Sequence, residues 1–167
     1  MSSAIKSLGA SRILFIDDNP AIHEVYAKIL TATHSDKARD DFEKNDAFFY
    51  GEEKAVHEPI QRFTADSAYQ GQEGVEFVER ACVEGRPYSV ALIDMRMPPG
   101  WDGVETAARI WQVDPNILVV FCTAYSDHSW GELTRALGRY DQFVILRKPF
   151  SNLELLQLVT ALCQERW

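Results

Sequence analysis

The 167-residue chain reads as a single α/β domain built around a parallel sheet. Two patterns predict this. Short apolar runs of strand length alternate with stretches of helical periodicity, the order expected when each strand is followed by a crossover helix. Four strand ends also terminate in polar residues: Asp17-Asp18, Asp94, Thr123 and Lys148. Length and a hydrophobic content of 46% suit one packed core and are too small for two full domains.

The first apolar run, Arg12 to Ile16, reads as a buried strand. Asn19 and Pro20 then offer an N-cap and a first helical residue. The helix that follows places Ile22, Val25, Tyr26, Ile29 and Leu30 at one-face spacing. From Thr31 to Pro59 the chain is polar and charged but carries Phe42, Phe48, Phe49 and Tyr50. Asp40–Tyr50 fits a helix stopped by Gly51; the other reading is a surface excursion whose aromatics dock on the core. A second strand is expected near Gln61–Ala65. A helix over Gly71–Val83 should turn Val75, Val78 and Cys82 inward, and Gly85-Arg86-Pro87 stops it.

Tyr88 to Ile93 is the third strand and delivers Asp94. Met97 to Gly103 is turn-rich. Asp102 and Glu105 have capping-box spacing, opening a helix to Val113 that Asp114-Pro115 ends. Ile117 to Cys122 delivers Thr123. Ser129 and Glu132 repeat the capping spacing for a helix ending near Gly138. Gln142 to Leu146 is the fifth strand and delivers Lys148-Pro149. Ser151 and Glu154 cap a last helix carrying Leu155, Leu156, Val159 and Leu162.

Acidic residues outnumber basic ones 25 to 17, a formal charge of −8, which argues against a general nucleic-acid binder. No apolar run approaches the roughly 20 residues that cross a bilayer. Residues 1–10 read as a tail, without the apolar stretch of a signal peptide. Cys82, Cys122 and Cys163 form no CxxC pair, so a reduced, cytoplasmic setting is the simplest expectation. His23, His34, His57 and His128 lack metal-ligand spacing and read as surface or helix residues, with solvent exposure expected for His23.

In a parallel sheet every strand ends on the same edge, and ligands bind just outside it. Asp17, Asp18, Asp94, Thr123 and Lys148 could therefore converge. Two carboxylates about 4 Å apart repel by roughly 4 kcal/mol at an effective dielectric near 20, so such a cluster suits a divalent cation. Oxygen-only ligands favour Mg²⁺. The chemistry that uses a carboxylate, Mg²⁺, an ammonium and a hydroxyl together is phosphoryl transfer to an aspartyl nucleophile. Taken singly, Asp17-Asp18 is a turn and cap, Thr123 a strand end and Lys148 a solvated charge. The joint order is what carries weight.

These residues resemble the receiver domains of bacterial two-component response regulators. Phe15-Ile16-Asp17-Asp18 looks like the acidic pair. Ala91-Leu-Ile-Asp94-Met95-Arg96-Met97-Pro98 resembles the phosphoacceptor strand and loop. Cys122-Thr123-Ala124 is similar to the switch threonine and the small residue after it, and Arg147-Lys148-Pro149-Phe150 to the lysine before a cis proline. The resemblance covers about residues 11–165. It implies a flavodoxin-like (β/α)5 fold of strand order 2-1-3-4-5, with an insertion at about 31–60 in a receiver domain spanning 11–167. It implies Asp94 as phosphoacceptor, with Asp18, Asp94 and the Arg96 carbonyl binding Mg²⁺ and Asp17 acting through water. Thr123, Ala124 and Lys148 would bind the phosphoryl group. The donor would be a histidine kinase or histidine phosphotransfer protein. The fourth helix, fifth strand and fifth helix would form a dimer or partner face. Such a protein is a signalling phosphoacceptor that assists its own phosphorylation and dephosphorylation, not a turnover enzyme.

The chain departs from the family pattern in places. The insertion has two open uses, a partner surface or an inert elaboration. The Pro98–Gly103 loop is a residue longer than usual, and Trp101 either covers the site or packs on the surface. Ile145 stands where the family carries an aromatic switch residue, with Phe143 on the same strand face but farther from the site. Arg96 and Tyr125 occupy positions that tune phosphoryl lifetime; a long cation and a bulky ring there predict a lifetime beyond minutes. A haloacid-dehalogenase-like phosphatase would need a DxD nucleophile on the first strand and an acidic pair after the lysine. Here the first strand ends Asp17-Asp18-Asn19 and no Asp follows Lys148. A phosphorylation-independent interaction module would not need the acidic triad.

Overall fold

The computed structural model describes residues 10–31, 63–124 and 128–164. The helix expected over 40–50, almost all of the 1–10 tail and the 31–60 insertion, and Tyr125 lie outside the described residues. Among the described residues five strands appear: β1 (Ser11–Ile16), β2 (Phe63–Ala68), β3 (Val90–Asp94), β4 (Leu118–Thr123) and β5 (Phe143–Arg147). The helices are α1 (Pro20–Thr31), α2 (Gly71–Val83), α3 (Gly103–Val113), α4 (Trp130–Leu137) and α5 (Asn152–Gln164). All strand pairs are parallel and the order is β2-β1-β3-β4-β5, the flavodoxin-like order.

Strand side chains alternate between two cores because successive Cβ atoms point to opposite faces. Leu14, Ile16, Ala91, Ile93, Val119, Phe121 and Phe143 pack under α2, α3 and α4 with Val78, Ala107, Ile110, Trp111 and Leu133. Ile13, Phe15, Val90, Leu92, Val120 and Cys122 pack under α1 and α5 with Tyr26, Leu30, Leu155 and Val159. β1 and β3 are covered on both faces, which explains their unbroken apolar runs. Each such fully buried aliphatic side chain contributes about 1.5–3 kcal/mol.

The caps follow the sequence closely. Asn19 accepts from the Ala21 amide. Reciprocal capping boxes close at Ser129–Glu132 and Ser151–Glu154. At α3 only half a box forms. Asp102 accepts from the Glu105 amide, while the Glu105 carboxylate turns to Arg109 at 2.7 Å. Gly138 ends α4 at φ 62°, a left-handed conformation that suits glycine.

Several expectations need correction. β2 runs Phe63–Ala68 rather than 61–65, because its pairing with β1 from Ser11↔Phe63 to Ile16↔Ala68 sets the register. Val25 is 49% exposed; the buried stripe of α1 is His23, Tyr26 and Leu30. Cys82 is exposed, and α2 instead buries Gly71, Gly74, Val78 and Ala81. These small residues let α2 sit close. A Cβ on Gly71 would strike Thr106, and one on Gly74 would strike Ile16. Trp101 packs on the surface, with the Arg109 guanidinium 5.1 Å above its ring. No described helix is long and apolar enough to cross a membrane.

Candidate functional site

The carboxyl edge of the sheet gathers the polar strand ends as topology requires. Asp17 follows β1, and its amide extends the ladder to the Ala68 carbonyl at 3.1 Å. Its side chain is buried, and Oδ1 accepts from the Asn19 amide at 2.9 Å, fixing the turn into α1. Asp18 is exposed beside it, and Asp94 closes β3, half-buried. One oxygen from each of Asp17, Asp18 and Asp94 lies within 4.8 Å of the other two.

Lys148 answers this charge. Its ammonium sits 3.2 Å from Asp94 Oδ1 and 3.5 Å from Asp17 Oδ2. The Lys148 amide donates to the Thr123 carbonyl at 2.8 Å, so β4 and β5 end together. The Lys148–Pro149 peptide is cis, as is Pro98–Pro99; the first was expected and the second was not. Burial pushes Asp94 above the ordinary carboxylate range, Asp17 reinforces the rise, and Lys148 opposes it. Burial acts to lower Lys148, but Asp94 and Asp17 outweigh it and the ammonium is held above its ordinary value.

Thr123 is buried and sits one residue past Cys122, the register partner of Asp94. Its hydroxyl donates to the Ala124 carbonyl at 2.9 Å. Ala124 and the Arg96 side chain are exposed. Ile145 is partly buried in the core under α4. Phe143, two residues earlier, lies between Phe121 at 5.6 Å and Trp130 at 4.7 Å.

The three carboxylates supply only oxygen donors at close quarters, a set that fits a hard divalent cation such as Mg²⁺. Gly103 lets α3 start against this edge. A Cβ there would lie 2.9 Å from the Asp94 carbonyl oxygen and 3.0 Å from Met95 Cα.

A model of the response regulator receiver domain matches residues 52–160. The chain belongs to this family. As a receiver domain of a two-component response regulator, it has relatives that match in sequence and in structure. Sporulation initiation phosphotransferase F of Bacillus subtilis (strain 168) is 32% identical over 91 residues, covering 54% of this receiver and 68% of the relative. A response regulator receiver protein from Sinorhizobium medicae WSM419 superposes with TM-score 0.62 at 22% identity, over 96% of this chain and 100% of that one. A response regulator receiver domain protein (CheY-like) from Methanospirillum hungatei JF-1 gives 0.62 at 20%, over 94% and 96%. These structures share the fold. The family match begins after β1, so the acidic pair lies outside it and reaches the site through the β1–β3 pairing. Receivers bind Mg²⁺ in an acidic pocket, and this receiver has the corresponding aspartate cluster.

Sequence reasoning missed what stands behind the site. His23, expected in solvent, is 4% exposed, and its Nε2 lies 2.6 Å from the Asp17 carbonyl oxygen. Its spacing with Tyr26 and Leu30 was the available signal. Tyr26 lies between Phe15 at 5.1 Å and Phe150 at 5.8 Å, and its hydroxyl is hydrogen-bonded to the Cys122 thiol. Burial pushes Cys122 up to about 12, with Lys148 opposing, so Cys122 is an inert core residue as expected. His128 is on the surface, 3.9 Å from Glu132.

Proposed function

We propose that Asp94 is the phosphoacceptor of a two-component phosphorelay, receiving its phosphoryl group from a histidine kinase or a histidine phosphotransfer protein. The observation that carries this is the Lys148 ammonium lying between Asp94 and Asp17 while three carboxylates crowd within 4.8 Å. An Asp94 oxygen attacks phosphorus as the bond to the donor imidazole breaks. Lys148 then holds one phosphoryl oxygen, and the Thr123 hydroxyl and Ala124 amide hold others. Asp18, Asp94 and the Arg96 carbonyl would ligate Mg²⁺, with Asp17 contributing through water. When bound, the ion supplies charge neutralisation at the phosphoryl oxygens. Arg96 and Tyr125, at the two sequence positions that tune lifetime in the family, would give the aspartyl phosphate a lifetime beyond minutes.

The unit is a signalling phosphoacceptor spanning about residues 11–167, with residues 31–60 as an insertion. It assists its own phosphorylation and dephosphorylation without turning over a substrate. α4, β5 and α5 form its dimer or partner face. The test is incubation with acetyl phosphate and Mg²⁺, read by intact mass. The wild type should gain one phosphoryl group and Asp94→Asn none. A wild type that stays unmodified, and whose tryptophan fluorescence ignores beryllofluoride with Mg²⁺, would overturn the reading.

A further inference from the structure

The only buried histidine among the described residues stands against the acidic pair and has no part in the chemistry above. His23 comes from the first turns of α1, six residues after Asp17, which brings its ring back under the end of β1. A carbonyl oxygen can only accept, so Nε2 carries the hydrogen and donates to the Asp17 carbonyl at 2.6 Å. Nδ1 is buried and makes no hydrogen bond. The ring is held by packing: Tyr69 lies 4.6 Å away and Phe15 meets it edge-on at 6.4 Å.

The position of this bond matters. β1 ends at Ile16, and the Asp17 amide makes the last ladder bond, to Ala68. The Asp17 carbonyl belongs to the peptide joining Asp17 to Asp18. Holding its oxygen fixes the plane of that peptide, and the plane sets where both side chains leave the backbone. The turn is also restrained by the Asn19 amide on Asp17 Oδ1 and by the Asn19 side chain on the Ala21 amide, but neither holds the Asp17 carbonyl. A chain that must point two like charges into one pocket needs such restraint, since their repulsion favours splaying them apart.

We propose that His23 is a positioning residue that holds the Asp17–Asp18 peptide so that both carboxylates face Asp94, through the Nε2 hydrogen bond rather than through its ring packing. This rests on the reading of the acidic cluster as a Mg²⁺ site. Partners behind a metal's ligands are worth about 10–100-fold in metal affinity.

Two variants of the full chain separate the bond from the packing. His23→Phe keeps a ring between Phe15 and Tyr69 but has no donor. His23→Gln loses the ring, yet its side-chain amide can donate from a similar place. Mg²⁺ affinity is measured by calorimetric titration, melting temperature by circular dichroism, and hydrogen exchange of the Asn19 amide by NMR in metal-free protein. His23→Phe should bind Mg²⁺ about tenfold or more weakly and exchange Asn19 faster. His23→Gln should stay near wild type in both, even if its melting temperature falls. Phe binding as tightly as wild type overturns the proposal, and so does Gln binding as weakly as Phe. A wild type that binds no Mg²⁺ sinks the functional reading instead; Asn19 exchange unaltered in the Phe variant then sinks the positioning role as well.

Discussion

Replacing Asp94 by asparagine should make the metal-free protein more stable. Asp17 and Asp18 each offer an oxygen within 4.8 Å of Asp94, and each pair costs about 1 kcal/mol in water and about 3.5 kcal/mol at an effective dielectric of 20. Lys148 at 3.2 Å offsets roughly 1–5 kcal/mol over the same range. Unscreened, the repulsions exceed the attraction by less than about 2 kcal/mol, and screening of the exposed Asp18 brings the charges close to balance. Burial of Asp94, the largest cause of its raised pKa, then leaves its charge with a net cost on the order of 1 kcal/mol. Asparagine keeps the shape and an oxygen facing Lys148 but drops the charge. For a domain of this size the expected gain is about 2–4 °C in Tm, read by thermal denaturation at pH 7 with EDTA.

The pH dependence supplies the sharper test. Asp94 is raised above its ordinary 3.8, chiefly by burial and by Asp17. Between those values the folded protein holds a proton that the unfolded chain has released. The stability tied to that proton is full below 3.8 and is lost as pH rises through the raised value. The wild type therefore carries the cost at pH 7, and its gap to Asp94→Asn should close on acidification. A variant no more stable than wild type at pH 7, or a gap that widens in acid, would refute the electrostatic account of the cluster.

Three further outcomes are expected. Gly103→Ala forces a Cβ against the Asp94 carbonyl and Met95, and should lower stability by about 1–3 kcal/mol in urea unfolding. Lys148→Met removes the group that holds Asp94 down, so carboxyl NMR should show its pKa rising further; a fall would contradict the arrangement. A thiol reagent should modify exposed Cys82 rapidly and buried Cys122 and Cys163 only on unfolding.

Much of this protein could be read from residue order. Strand alternation, the caps at Asn19, Ser129 and Ser151, and the polar residues ending each apolar run depend on local spacing, so the architecture and the membership of Asp17, Asp18, Asp94 and Lys148 in one site were legible. Tertiary packing decided the rest. β2 took its bounds from its neighbour β1. α1 rolled far enough to expose Val25 and bury His23, because the space beneath β1 accepts the stripe of His23, Tyr26 and Leu30. Cys82 lost its inward place because the close face of α2 is the one carrying Gly71 and Gly74, which pack against Thr106 of α3 and Ile16 of β1 with no room for a larger side chain. Periodicity names the face of an element to within a residue or so; which member of that face is buried depends on the shape of what lies opposite, and no local pattern encodes that.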